Sequence, residues 1–225
     1  MRAETKNLLP FIISVSAAVL ATVGVVLYAA VLSNRQLTFD ASYYFVCYAI
    51  RDNALSADAI STTVSNYGGA GYVLGYDGDF YVTVACYYNE SEAETVRQNL
   101  LKRGLQCSVL NIKTNEYHFA NADAKNGKLF SGNLNTLDSL SRICYECANQ
   151  LDTGKYSQAE AEAVLEDIEE GLQGLKKANP NNCFTDEIKR LITECETAKR
   201  DYIYSKDMRK LQIAILDCII NIDMG

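Results

Sequence analysis

Histidine occurs once in the 225 residues, as His118, and it stands in a polar stretch without evident partners. A Ser–His–Asp or Cys–His device needs an imidazole set between two other groups, so nucleophilic catalysis has no visible constellation here. No glycine-rich phosphate loop is present. CxxC occurs once, as Cys144-Tyr145-Glu146-Cys147, without a second copy. A zinc site would have to draw two more ligands from Cys183, Cys195 or Cys218, so the ligand count favours core packing or an interhelical disulfide over a metal. Paired acids such as Glu169-Glu170 read as a solvated helix face. The chain is expected to be no enzyme, with no metal and no cofactor.

Charge is missing altogether between Leu8 and Leu32, where Leu, Ile, Val, Ala and Phe dominate. The run exceeds the roughly 20 residues that a helix needs to cross a hydrocarbon core. Pro10, one of only two prolines, falls in the first turn, where its missing N–H costs nothing. A cleaved signal peptide would carry an apolar core of about 7–15 residues before a small-x-small site. Tyr28-Ala29-Ala30 is a loose match to such a site, but the run is too long for that reading. Residues 8–32 are therefore expected to be a transmembrane helix, with a cytoplasmic tail at 1–7 and a linker at 33–42. Arg2, Lys6 and the amino terminus precede the helix, against Glu4, and only Arg35 follows it before Asp40. That bias places the N-terminus in the cytoplasm and the body outside the plasma membrane, with a single pass.

Basic charge is also scarce in the body. Residues 133–225 carry 17 acids against 11 bases, and residues 40–113 carry 8 against 5, within a net charge of −7. Such a surface repels phosphates, which makes nucleic acid and anionic lipid poor candidate partners. All eight cysteines follow the apolar run. An even number outside the cell permits disulfides, whereas their scatter through apolar positions also suits free thiols packed as small hydrophobes.

What is present is a repeat. Offset by 36 residues, Val46 falls on Val82, Ala49 on Ala85, Asn53 on Asn89, Ala57 on Ala93, Gly68 on Gly104, Val73 on Val109 and Leu74 on Leu110. Each unit reads as strand, helix, strand. Tyr43–Ile50 and Phe80–Tyr87 are rich in aromatic and β-branched residues. Helices are expected over 57–66 and 92–103, with Ser56 and Ser91 at their starts and Gly68 and Gly104 just past their ends. Short strands follow at 71–76 and 106–112, and Asp77-Gly78 supplies a hairpin turn.

The order βαββαβ predicts a ferredoxin-like domain over 43–113, an antiparallel sheet with both helices on one face. Strand alternation turns Val46, Tyr48, Val82 and Val84 towards the helices. It leaves Phe45, Cys47, Tyr81, Thr83 and Tyr87 on the other face, as one patch across the two central strands. The aromatic rings suit stacking on sugars, and the bland alternative is that they pack on the C-terminal part of the chain.

The segment resembles the SPOR domain, the sporulation-related repeat of bacterial cell-envelope proteins. The likeness lies in Phe80-Tyr81-Val82-Thr83-Val84-Ala85-Cys86-Tyr87, then Glu92-Ala93-Glu94, then Leu100-Leu101-Lys102-Arg103-Gly104-Leu105. Ala49 and Ala85 replace the family's strand glycine, and Cys47 stands where a glutamine is common. The resemblance implies binding of peptidoglycan glycan strands through the open face of the sheet, in division or sporulation. The other reading is a structural or scaffold protein that keeps the fold for protein–protein contacts.

After a polar linker at 114–132 the period becomes helical. Leu137, Leu140, Cys144, Cys147 and Leu151 form one seam, and Ala161, Leu165, Ile168, Leu172 and Leu175 a second. Ile188, Leu191, Cys195, Ala198 and Tyr202 form a third. A phase slip near Ser205 marks a kink or a fourth helix, with Leu211, Ile215, Cys218 and Ile222 as its stripe. Residues 133–225 are thus expected to be an all-α antiparallel helical bundle, a module for a protein partner or self-association. The whole is an α+β protein behind a membrane anchor.

Overall fold

The computed structural model describes residues 39–114, 124–178, 185–199 and 202–221, with side chains from Phe130 onward in the second of these stretches. The expected membrane helix at 8–32 lies outside them, as do the tail before it, His118 and Cys183. Among the described residues no helix is long and apolar enough to cross a membrane. The chain divides into two compact units, Phe39–Asn115 with Gly132–Gly225, and Met1–Thr38 with Glu116–Ser131. Of the second unit, only the first residues of a helix are described.

The architecture is α+β, with four strands and six helices among the described residues. They run β1 (Ser42–Arg51), α1 (Ala54–Asn66), β2 (Tyr72–Tyr76), β3 (Asp79–Tyr87), α2 (Glu90–Lys102), β4 (Ser108–Lys113), α3 (Ala124–Asp152), α4 (Gln158–Ala178), α5 (Thr185–Ala198) and α6 (Ser205–Ile220). The strand order is β2-β3-β1-β4, every neighbour antiparallel. The βαββαβ expectation is met, with β1 and β3 at the centre.

The repeat is explained by helix ends. Asn53 and Asn89 stand in extended backbone, and each side-chain oxygen accepts from the N–H of the serine that the sequence reading had placed at the helix start, Ser56 (2.9 Å) and Ser91 (2.8 Å). The caps are therefore the asparagines, and the helices begin earlier than their apolar spacing predicted. Gly68 (φ +87°) and Gly104 (φ +84°) close both helices in the left-handed conformation. Asp77 and Gly78 both have positive φ, as a type I′ hairpin requires.

Helices α1 and α2 pack on one face of the sheet. Ala57 and Val64 meet Val82 in a buried cluster flanked by Ala49, Val73, Phe80 and Val84. The stretch read as a linker to residue 132 is helical from Ala124, so α3 is longer than its seam predicted. In the helices that follow, Leu137, Leu140, Cys144, Cys147, Leu165, Ile168, Leu172, Leu175, Ile188, Leu191 and Cys195 are buried, as their spacing required. Tyr202 departs from its seam: it lies beyond the end of α5 and is 61% exposed. The phase slip near Ser205 is a new helix, α6.

Candidate functional site

The second face of the sheet is not open. Helix α6 lies against β2 and β3, and its residues Met208, Leu211 to Leu216, Cys218 and Ile219 are all buried. From Leu211 to Leu216 every residue is buried, so this stretch of the helix is enclosed on every side. Here the enclosure is the sheet on one flank and α5 on another.

Register fixes which strand residues lie under this cover. Tyr72 stands opposite Thr83, and Cys47 opposite Thr83 from the other neighbouring strand. Directly opposed residues of antiparallel strands share a face, and Val82, one step on, belongs to the helix-side cluster. Irregularities between Val46 and Cys47 and between Cys47 and Ala49 interrupt simple alternation along β1.

Of the five residues expected to form the binding patch, Phe45 and Thr83 are 0% exposed and Cys47 is 1% exposed. Burial pushes the Cys47 thiol up to about 12, with the neighbouring Cys107 adding to it. The Thr83 hydroxyl donates to the Tyr72 carbonyl at 2.8 Å and so has its partner within the sheet. Tyr81 and Tyr87 are partly exposed. Tyr87 meets Tyr145 of α3 edge to face, with ring centroids 5.9 Å apart. The structure thus brings Phe45, Cys47 and Thr83 together as core and leaves only Tyr81 and Tyr87 with solvent access. The sequence expectation of one exposed patch is corrected by the burial of these three residues.

Polar contacts pin the cover in place. The Tyr72 hydroxyl donates to Asp217 Oδ2 at 2.5 Å and accepts from Arg190 Nη1 at 3.2 Å. Burial and then Asp217 raise the Tyr72 phenol well above its ordinary value, so it stays a donor. Asn221 Nδ2 donates to the Gly75 carbonyl of β2 at 2.9 Å. Gln212, fully buried, donates from Nε2 to the Cys86 carbonyl at 3.2 Å, while its Oε1 has no partner. An orphaned buried acceptor costs about 1–3 kcal/mol.

A second contact is aromatic. Tyr43 and Tyr88 pack edge to face at 6.0 Å, and Tyr88 meets Tyr145 at 5.5 Å. The Tyr43 hydroxyl donates to Asp138 Oδ1 at 3.0 Å, Tyr88 shares a 2.6 Å hydrogen bond with Ser141, and the Arg142 guanidinium lies 4.0 Å from the Tyr88 ring. These side chains fasten α3 to the end of the sheet.

Sequence reasoning missed Tyr72, Gln212 and Asp217. The signal that could have found them is the run Leu211–Ile220, which is apolar all round except at those last two residues. Cys144 and Cys147 are buried free thiols on the α3 seam, and Cys195 close by helps raise Cys144 after burial has done most of it. Cys47, Cys86 and Cys107 are also free.

No family model matches the chain, and no curated protein matches it. Among solved structures, the chain is similar to the peptidoglycan-binding domain of the B. subtilis cell wall lytic enzyme CwlC, with 19% sequence identity and a TM-score of 0.28 over 32% of this chain and 91% of that domain.

Proposed function

We propose that the chain is a membrane-anchored structural component of the cell envelope, in which a SPOR-like fold serves as a packing platform for the protein's own helices and the merged body acts through protein–protein contacts. The observation that carries this reading is the closed sheet: Phe45, Cys47 and Thr83 are buried core residues, and α6 packs on β2 and β3. The uncharged run at 8–32 and the charge bias around it support the anchor and an extracytoplasmic body, with the N-terminus in the cytoplasm. The acidic balance supports a protein partner over nucleic acid.

Binding of peptidoglycan glycan strands at the sheet face, in division or sporulation, is the second reading. It requires α6 to lift away. The orphaned Gln212 Oε1 favours it, because a polar atom left unpaired in a closed interface gains a partner from water when that interface opens.

Amide hydrogen exchange on the full chain, with and without purified sacculi, separates the two. For a structural platform, α6 and β3 exchange together at the slowest rates, and sacculi change neither. Exchange in α6 ahead of β3, joined to new protection of Tyr72 and Thr83 by sacculi, overturns the platform reading in favour of glycan binding.

A further inference from the structure

We infer that the groove between α5 and α6 is a saccharide-binding site built on Tyr202 and Tyr204. It is separate from the sheet face and stands whether or not that face ever meets glycan. The connector between the two helices is fixed at one residue. Ile203 is buried, its N–H donates to Gln158 Oε1 at 2.8 Å, and its carbonyl accepts from Gln158 Nε2 at 2.9 Å. A single side-chain amide thereby satisfies both backbone groups, as an adjacent strand would.

With Ile203 turned inward and the backbone extended at Tyr204 (φ −101°, ψ 157°), alternation sends both tyrosines outward. Their rings stand 4.9 Å apart at 49°, yet Tyr202 is 61% and Tyr204 53% exposed. Lys206 Nζ lies 5.5 Å from the Tyr204 centroid, which further restrains that ring. Two aromatic rings are thus held in place in water by a clamped backbone. That is the form of a preorganised stacking surface.

The groove beside them has a volume of about 360 Å³. On its α5 wall, Thr193 and Thr197 use their hydroxyl protons on carbonyls one turn back, at 3.1 and 2.8 Å, which leaves oxygen lone pairs to accept from a ligand. On the α6 wall, Lys210 makes no ion pair with another described residue and is free to donate. The groove's two acids, Glu194 and Asp207, balance Lys206 and Lys210, so its formal charge is zero. A phosphate-rich ligand finds no attraction in a neutral groove. A neutral pyranose ring does: its C–H face stacks on the tyrosines, and its rim of hydroxyls exchanges hydrogen bonds with the threonines and Lys210.

The test is titration of the full chain, in mild detergent, with chitotetraose and with cellotetraose. Binding is read from tyrosine emission, which no tryptophan masks, and from amide chemical shifts. Saturable binding of at least one sugar is expected, with a Kd on the order of 1 mM. The double variant Tyr202→Ala/Tyr204→Ala should weaken it by about 10-fold or more at an unchanged melting temperature, because both rings are exposed. The variant Tyr202→Phe/Tyr204→Phe should retain it. Absence of saturable binding of both sugars overturns the proposal, and so does binding that survives the double alanine variant.

Discussion

Replacing Leu216 by alanine tests whether sheet and bundle are one body. Leu216 is 0% exposed in the middle of α6. Helical spacing puts it one turn on from Gln212, which bonds to β3. Truncation of a buried leucine costs about 2–5 kcal/mol, the higher values arising where neighbours cannot close the cavity. The helix that carries it packs against a hydrogen-bonded sheet and another helix, so the loss should lie near 3–4 kcal/mol. Against a stability of about 5–15 kcal/mol that is a large fraction. Taking a urea slope of about 2–3 kcal/mol per molar, the unfolding midpoint falls by roughly 1–2 M. Unfolding is followed by helical ellipticity and separately by tyrosine emission, to which the cluster of Tyr43, Tyr88 and Tyr145 contributes among 15 tyrosines. The two transitions should coincide and move together. Leu101→Ala, at a 40% exposed site on α2, should change the stability by no more than about 0.5 kcal/mol. A Leu216→Ala loss below about 1 kcal/mol, or a tyrosine transition left in place while the helical one moves, refutes the reasoning.

Other expectations follow from single features. Asn53→Ala and Asn89→Ala should each destabilise by about 1 kcal/mol in thermal or urea unfolding, as the loss of a helix cap does. Burial raises the Asp152 carboxyl, but hydrogen bonds from Arg209 and Ser205 and the charge of Arg209 outweigh it, and the group is held below the usual aspartate range. Its contribution is therefore complete above the ordinary aspartate value and is lost as pH falls through the lowered one. Melting of Asp152→Asn should fall slightly below wild type near neutral pH, by under about 1 kcal/mol for so exposed a pair, and the gap should close in acid. Burial holds Cys47 and Cys195 at about 12, while Cys107 is only partly buried. Mass mapping after brief native thiol labelling should thus find Cys107 modified well ahead of Cys47, Cys144 and Cys195.

The ferredoxin-like segment was legible because its signals are local. Asparagine, glycine and the apolar strand residues recur at one offset, and each member of the repeat meets the same demand in both copies: a cap at Asn53 and Asn89, a left-handed exit at Gly68 and Gly104. Exact helix starts were less legible, since spacing alone finds the first buried residue and not the cap preceding it. The seams of α3, α4 and α5 were readable for the same local reason. Tyr202 was misassigned because 3-4 spacing continued past a helix end. Only the clamp from Gln158, distant in the chain, shows that the backbone there is extended.

The face of the sheet was the harder matter. Alternation finds two faces, but nothing in β1 or β3 says what covers the second, because Phe45 and Thr83 suit a buried layer as well as an aromatic platform. The deciding residues lie more than 120 positions away, in Leu211–Ile220. One apolar stripe there satisfies a bundle, whereas apolar residues on every flank require a further partner, and the sheet face is the large apolar surface left to supply it. The two odd residues in that run then make sense together. Asp217 meets the Tyr72 phenol of β2, and Gln212 reaches a carbonyl of β3. Each polar exception in this apolar run marks a point of register against the sheet, so the covering of the sheet's second face was written into α6 and not into the repeat itself.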